Sequence, residues 1–499
     1  ALTQIKGITR PTIIITRKQS SWRIMSRNVL LVVLLLLISP HPKDNNNKHR
    51  AAVLVAEGYG MGSSFMATRK SRRRDKVSLS LSSFVWRRQT TTRPRGGSNH
   101  RNHNMGLCMK IKVGIVGLPN IGKSTLFNAL AQKSIAQAEN FPFCTIEPNL
   151  APIAVPDAHL TKLGRHAKSV KVVAATMEFV DVAGLVAGAS RGEGLGNRFL
   201  ATLRECHAIC HVVRYFDNHP DIVHVHGKVD PIQDAEVVNL ELVLADVAHI
   251  ERRLEKTTCR DEERATLEAI LPQLQLGIPA RSVGLSESQE KSIRSMGLLT
   301  LKPVIYAFNI DEVDFLLDRE QVLDDVTHNV MPKIQYCDPS RDMSTVVSAK
   351  LEAEIAAMSS DPKAQRDYLQ SIMGEDDDGT TTRTTTMVDN MLCYTVLPTM
   401  VCQLLDLFLV YTGPGVPAEK SQTTKAHLFS NQDPPTTIQL AGRLHGDIQK
   451  GFLRAEVTPA PTLLQYDSYN AAKDAGGIRT EGKDAVLSED DVVLIKWKQ

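Results

Sequence analysis

Gly117-Leu-Pro-Asn-Ile-Gly-Lys-Ser-Thr125 has the spacing G-x-x-x-x-G-K-[ST], and its residue types suit a bound phosphate. The glycines let successive backbone N–H groups curl around an anion, and a following helix adds the positive end of its dipole. In such a loop Lys123 reaches the β- and γ-phosphates and the Ser124 hydroxyl ligates Mg²⁺. Two later stretches supply further metal ligands. Thr145 sits in the two-proline loop 138–149 and is placed to complete the Mg²⁺ shell when a γ-phosphate is present; the alternative is a solvated Thr in a plain surface loop. Asp181 ends the apolar run Met177-Glu-Phe-Val-Asp181, and Asp-x-x-Gly brings its carboxylate near the metal and the Gly184 N–H near the γ-phosphate.

These groups need elements to hold them. Ile111-Lys-Val-Gly-Ile-Val116 reads as a buried strand and Ser124–Leu130 as helix, the context the loop requires. Further strands are expected at Ile209–Val213 and Val304–Phe308, the latter leading into Asn309-Ile-Asp-Glu312. Val346-Val-Ser-Ala-Lys350 opens another loop, so Asn309, Ile310, Glu312, Ser348 and Ala349 join the nucleotide-binding candidates. Motifs at the carboxyl ends of successive strands put the ligand at one edge of a doubly wound, mostly parallel α/β sheet. The loop Gly184–Gly196 is glycine-rich enough to order and disorder with the γ-phosphate. Residues 234–296 have helical apolar spacing and read as an inserted helical hairpin, 387–410 as a helix returning to the core, and 412–417 as a linker. Beyond it, Phe452–Val457 and Val492–Trp497 fit a small β-rich domain at 413–498. There Arg443, His445, Lys450, Arg454, Arg479 and Lys483, with Phe452 as a stacking ring, form either an RNA face or a solvated surface over a core Phe.

The net charge of +4 hides an asymmetry. Residues 1–104 hold 20 Lys+Arg and three acids, so 39 of the 59 basic and 52 of the 55 acidic residues lie beyond them, a net charge of −13. A body that acidic is no general polyanion binder, and any nucleic-acid contact needs a local basic patch. The eight cysteines contain no C-x-x-C pair, which suits a reducing compartment. Cys206-His207-x-x-Cys210-His211 has zinc-ligand residue types, but alternation along a strand at 209–213 keeps four of them from converging.

Val29–Ile38 is ten apolar residues long, too short to span a bilayer and suited to a signal-peptide core. Residues 62–104 are rich in Ser, Thr and Arg, as transit peptides are. Together they resemble the two-part presequence that enters plastids of secondary origin. The alternative is initiation at Met105 or Met109 and a cytoplasmic protein. On either reading residues 1–104 lie outside the fold, as a presequence or a disordered extension.

Taken in order, Gly-Leu-Pro-Asn-Ile-Gly-Lys-Ser-Thr, Asn-Phe-Pro-Phe-Cys-Thr, Asp-Val-Ala-Gly-Leu-Val, Gly-Glu-Gly-Leu-Gly-Asn, the tetrapeptide Asn309–Glu312 and His445–Glu456 resemble the YchF-type Obg-like ATPases over about residues 110–498. The resemblance implies an OBG-type P-loop nucleotide-binding domain at 110–412, a helical insertion, a C-terminal β-grasp (TGS) domain and association with ribosomes or ribosomal RNA. It implies ATP hydrolysis with Mg²⁺, Asn120, Ile121, Gly122, Lys123, Ser124 and Thr125 on the phosphates, and Asn309 to Glu312 on the base. No DNA partner and no membrane insertion are expected, and a monomer is. Departures are Ala187 in place of a family Lys, the acidic and Thr-rich stretch Glu375–Thr386, and Pro434-Pro-Thr-Thr at the start of the small domain.

The tetrapeptide Asn309-Ile310-Asp311-Glu312 departs from the guanine-reading Asn-Lys-x-Asp, so adenine is favoured through Asn309 and the backbone at Ile310. Leu185 stands where Ras-like enzymes carry the water-orienting Gln, so intrinsic turnover should be slow. Catalytic candidates are Lys123, Asn120, which resembles the Asn of K⁺-activated relatives, and His224 (or His226) from a loop; ordinary loop histidines are the alternative. Two rival functions follow: a nucleotide-gated ribosome- or RNA-binding module with negligible turnover, or a guanine-specific Obg-type GTPase.

Overall fold

The computed structural model describes residues 110–137, 149–182, 195–216, 229–338, 340–358, 362–373, 391–413 and 423–498. Thr145, Gly184, Leu185, His224 and the whole stretch before residue 110 lie outside these.

The central strand β1 (Lys112–Val116) is flanked on both sides, so Val113 to Val116 are all buried. That is why its sequence is a nearly continuous apolar run rather than an alternating one. The chain passes from it through the glycine loop into helix α1 (Lys123–Gln137), then to β2 (Leu150–Ala154), the short helix α2 (Leu160–His166), β3 (Lys171–Val173) and β4 (Thr176–Asp181). Helix α3 (Leu195–Glu205) leads to β5 (Ala208–Arg214). After the insertion come β6 (Val304–Asn309), helix α7 (Glu312–Leu317), β7 (Asp342–Val347) and helix α8 (Ala349–Ala357). The first sheet has the order β2-β4-β1-β5-β6-β7; all neighbours run parallel except β2 against β4.

The insertion is built on α4 (Pro231–Leu254) and α5 (Asp261–Gln275), with a third short helix, α6 (Glu287–Ile293). Asp230 caps α4 by accepting from the Ile232 and Gln233 amides, and Pro231 at the first turn loses no hydrogen bond there. Val243, Ile250, Leu267, Ile270, Leu274 and Ile293 form a core that belongs to the arm alone. Arg253 clasps Glu263 through two bonds of 2.7 and 2.8 Å, fixing the hairpin, and α6 adds a helix that the hairpin reading did not contain.

Helix α9 (Cys393–Leu404) ends before β8 (Leu407–Thr412), so the helix expected over 387–410 gives way to a strand. β8 lies inside the second sheet, which therefore begins six residues before the expected boundary at 413. The sheet adds β9 (Thr423–Ser430), β10 (Phe452–Pro459), β11 (Arg479–Glu481) and β12 (Asp491–Trp497), in the order β11-β10-β12-β8-β9-β3. Its last strand is β3, contributed from between β2 and β4 of the first half. The residues after Pro434-Pro start helix α10 (Thr437–Leu444), where Thr436 and Gln439 make a capping box.

Candidate functional site

Backbone conformation shapes the loop. Gly122 has φ +94°, and a Cβ there would sit 2.5 Å from Asn309 Nδ2. At Gly117, with φ +149°, a Cβ would meet the Val212 carbonyl at 2.5 Å. Asn120 takes the left-handed φ of 61° and is exposed at the loop crest. Ile121 is buried, while Ser124 and Thr125 open to solvent at the start of α1. The Lys123 side chain runs back inside the loop and its Nζ donates to the Leu118 carbonyl. It is only 6% exposed, and this desolvation lowers its pKa to about 8 against the opposing pull of Asp181.

Asp181 ends β4 beside this loop and accepts from Ser124 Oγ at 3.4 Å through Oδ2. Its Oδ1 is buried with no hydrogen-bond partner among the described residues. Desolvation raises its pKa, with Lys123 and the Ser124 bond acting the other way. A hydroxyl and a carboxylate at one edge, with a buried carboxylate oxygen unused, fit a hard divalent cation such as Mg²⁺.

On the base side the structure gives several candidates partners within the protein. Asn309, 4% exposed, donates from Nδ2 to the Ile121 carbonyl (2.9 Å) and accepts from the Ala349 amide (2.9 Å). One N–H and one oxygen lone pair of its amide therefore fasten the phosphate loop to the start of α8. The Ile310 amide likewise donates to the Val347 carbonyl (2.9 Å), so of the Ile310 backbone the N–H is already used. Asp311 caps α7 by accepting from the Val313 amide at 3.0 Å. Glu312 is ion-paired to Lys350. Ser348 is fully buried and its hydroxyl has no hydrogen-bond partner among the described residues; Ala349 is buried beside it.

Sequence reasoning missed the Asn309 clamp and the Lys350 pairing. Each joins segments far apart in the chain, and only the shared sheet edge brings them together. The Cys206–His211 cluster is dispersed. Cys210 and His211 are adjacent on β5 and face opposite ways, and His207 Nδ1 accepts from the Lys112 amide at 3.1 Å. His211 is buried against Tyr306 with ring centroids 5.2 Å apart, and burial lowers its pKa to about 3.

Most of the C-terminal cations, read as either an RNA face or a solvated surface, have partners within the protein. Arg443 turns inward, donating to the Leu428 carbonyl (2.9 Å) and lying over the Phe429 ring at 4.4 Å. Arg479 pairs with Asp491 (3.3 Å), Arg454 approaches Glu456 (3.9 Å), and His445 and Lys450 lie 3.4 and 4.0 Å from Asp447. Lys483 remains exposed. Phe452 packs against the Phe408–Leu440–Val457 core, so the core reading holds for it.

Comparison with known proteins agrees with this geometry. Residues 112–262 match a family model described as "50S ribosome-binding GTPase", and residues 422–498 match the YchF GTPase C-terminal model, described as a protein of unknown function. The chain is 39% identical over 397 residues to the ribosome-binding ATPase YchF of Haemophilus influenzae, covering 78% of this chain and 99% of that one. It is 37% identical over 398 residues to the Bacillus subtilis protein of the same name, covering 78% and 100%. Among solved structures, the Schizosaccharomyces pombe YchF GTPase superposes with a TM-score of 0.62 at 30% identity, covering 78% of this chain and 98% of that one. With its phosphate loop, metal-side carboxylate and second sheet on one compact body, the chain belongs to the YchF family of P-loop nucleoside triphosphate hydrolases.

Proposed function

We propose that this protein is a Mg²⁺-dependent ATPase that acts as a nucleotide switch on the ribosome, with GTP a weaker substrate. The observation that carries the base preference is the fate of the two carboxylates in the tetrapeptide. Asp311 is engaged as a helix cap and Glu312 is held by Lys350, so the ring N1–H and exocyclic amine of guanine would have to compete with these partners for either carboxylate. A bond to a charged acceptor is worth about 1.5–3 kcal/mol, so roughly 10- to 100-fold of guanine preference is removed.

Phosphoryl transfer to water is a matter of position and charge. Lys123, buried in the loop, offers its ammonium to the β- and γ-phosphates in place of the Leu118 carbonyl. Ser124, Asp181 and, on the loop 138–149, Thr145 would hold Mg²⁺; when bound, the ion neutralises charge developing on the phosphate oxygens. Leu185 cannot orient a water, so turnover is slow without help. Two groups are proposed to supply it: a K⁺ ion held through Asn120, and His224. Single-turnover hydrolysis of ATP, with and without ribosomes, tests the whole reading. Stimulation by ribosomes is expected. No turnover in either case, with ATP-dependent ribosome binding intact, would make the protein a binding module instead. GTP bound tenfold tighter than ATP would make it an Obg-type GTPase.

Residues 1–104 are proposed as a two-part plastid presequence. Fused to a fluorescent protein they should direct it to the plastid; a diffuse cytosolic signal would refute this.

A further inference from the structure

The cations of the C-terminal region are largely paired, but another basic surface has no assigned ligand. Between Asp157 and Glu178 the sequence has no acid, and it carries Lys162, Arg165, Lys168 and Lys171. In a body whose net charge is −13 this run stands apart. Lys162 and Arg165 are exposed and three residues apart on α2, hence neighbours on one helix face. Lys168 follows in the turn, and Lys171 opens β3, where it pairs in register with Thr423. Lys425, exposed on β9, lies opposite Val173 in the same ladder. Among the described residues none of the five forms an ion pair with a carboxylate. The acids on adjoining elements are Asp157 and Asp490, both engaged with Tyr411 at 2.9 and 3.4 Å, and Asp467, next to the Tyr466 carbonyl that faces His166 Nε2 at 2.9 Å.

The platform beneath is firm. A Cβ on Gly164 would come within 2.4 Å of Val172 Cγ2, so α2 is pressed onto β3, and Ser169 Oγ meets Thr424 Oγ1 at 2.7 Å. Helix α2 closes with the Ser169 amide on the Gly164 carbonyl (2.9 Å) and the Lys168 amide on the Arg165 carbonyl (3.1 Å). This is the six-residue closure in which glycine is favoured at the left-handed position, yet that position is Lys168, at φ 49°. A strained cation in an acid-free run points to a use other than folding.

We propose that the ridge Lys162–Arg165–Lys168–Lys171, with Lys425, docks the phosphate backbone of ribosomal RNA. This rests on the ribosome-directed reading above. RNA is favoured over a lipid surface because among the described residues only Val170 supplies a large exposed apolar side chain here, where a membrane anchor needs an apolar face. The ridge lies at the opposite end of β4 from Asp181, roughly 20 Å away for a six-residue strand, so it is distinct from the nucleotide site.

The test uses the full chain, a fluorescent single-stranded RNA and sedimentation with ribosomes, between about 50 and 200 mM salt. Removing one cation that neutralises a phosphate lowers the slope of log affinity against log salt by about 0.7. Lys162→Gln/Arg165→Gln/Lys171→Gln should therefore lower it by about 2, which is roughly a fifteenfold difference across that fourfold salt window, with ATP binding unchanged. Lys168→Gly separates binding from folding: it should keep or raise the unfolding temperature while lowering the slope. Arg479→Gln, on a paired cation, should leave the slope alone. A triple variant with the unmodified slope, where the unmodified protein sediments with ribosomes, would overturn the ridge and spare the ribosome reading. An unmodified protein that binds neither RNA nor ribosomes would overturn both. Tighter binding to phosphatidylserine vesicles than to RNA would overturn the choice of partner.

Discussion

Replacing Asn309 by Ala tests whether this residue fastens the phosphate loop or reads the base. The side chain is 4% exposed and makes two bonds of 2.9 Å, one to the Ile121 carbonyl and one from the Ala349 amide. Each such bond contributes about 1 kcal/mol net, and a buried partner left unmatched costs about 1–3 kcal/mol. Ile121 and Ala349 are themselves 2% and 3% exposed, so water cannot readily replace the missing partner. The seam should weaken by about 2–4 kcal/mol. If about 2 kcal/mol of this appears as the cost of re-ordering the loop on binding, triphosphate affinity falls roughly thirtyfold. The assay is displacement of a fluorescent nucleotide by ATP and, separately, by inorganic tripolyphosphate. A clamp predicts equal losses for both competitors, because the loop holds phosphate in each case. Loss of ATP affinity alone would refute the clamp and restore a direct base contact, and affinities within threefold of the unmodified protein for both would refute either role.

Lys123 provides a pH test: its pKa of about 8 in the free site means it is protonated below that pH, and a bound triphosphate favours the charged form. ATP affinity should be level below about pH 7 and fall by up to tenfold per pH unit above about 8, and a flat profile from pH 7 to 9.5 would refute this. Ile310→Lys with Glu312→Asp should move preference toward GTP by roughly 10- to 100-fold in a competition titration, and an unchanged ratio would show that the base is read elsewhere. Replacing Na⁺ by K⁺ should raise the hydrolysis rate if Asn120 acts through a cation; equal rates in both salts would remove that proposal.

The phosphate side of the site was legible in the sequence because its chemistry is local. Gly117 to Thr125 are consecutive, so the residue types alone imply the loop, and Asp181 is announced by the strand it ends. The base side was less legible. The place of Asn309 in the tetrapeptide suggests a base reader and says nothing of its bonds to Ile121 and Ala349, which are 188 and 40 residues away in the chain. The C-terminal region shows the same limit. Arg443 and Phe452 have the residue types of an RNA face, and only packing decides that one lies over Phe429 and the other joins the core. Strand β3 was missed altogether: it is three residues long, and what makes it a strand is its pairing with β9, 252 positions on.

That pairing bears on how a nucleotide signal reaches the second sheet. β3 is the edge of the second sheet, and only Ala174 and Ala175 separate it from β4, whose far end is Asp181. The Val155 amide closes this link by donating to the Ala175 carbonyl at 2.8 Å, and Tyr411 Oη on β8 donates to Asp157 at 2.9 Å from the other side. Packing runs through the seam as well, since Ala426, Leu428, Leu463 and Val492 belong to the same buried cluster as Leu126 and Phe179. A shared strand, a shared cluster and a buried tyrosine leave little freedom for the second sheet to swing as an independent module about this edge. A shift of β4 at the Asp181 end, were nucleotide to cause one, would have this continuous path to β3 and the basic ridge beside it. Asp181 and Lys171 thus lie at opposite ends of two strands joined through Ala174 and Ala175, the continuity that a switch of the proposed kind would need.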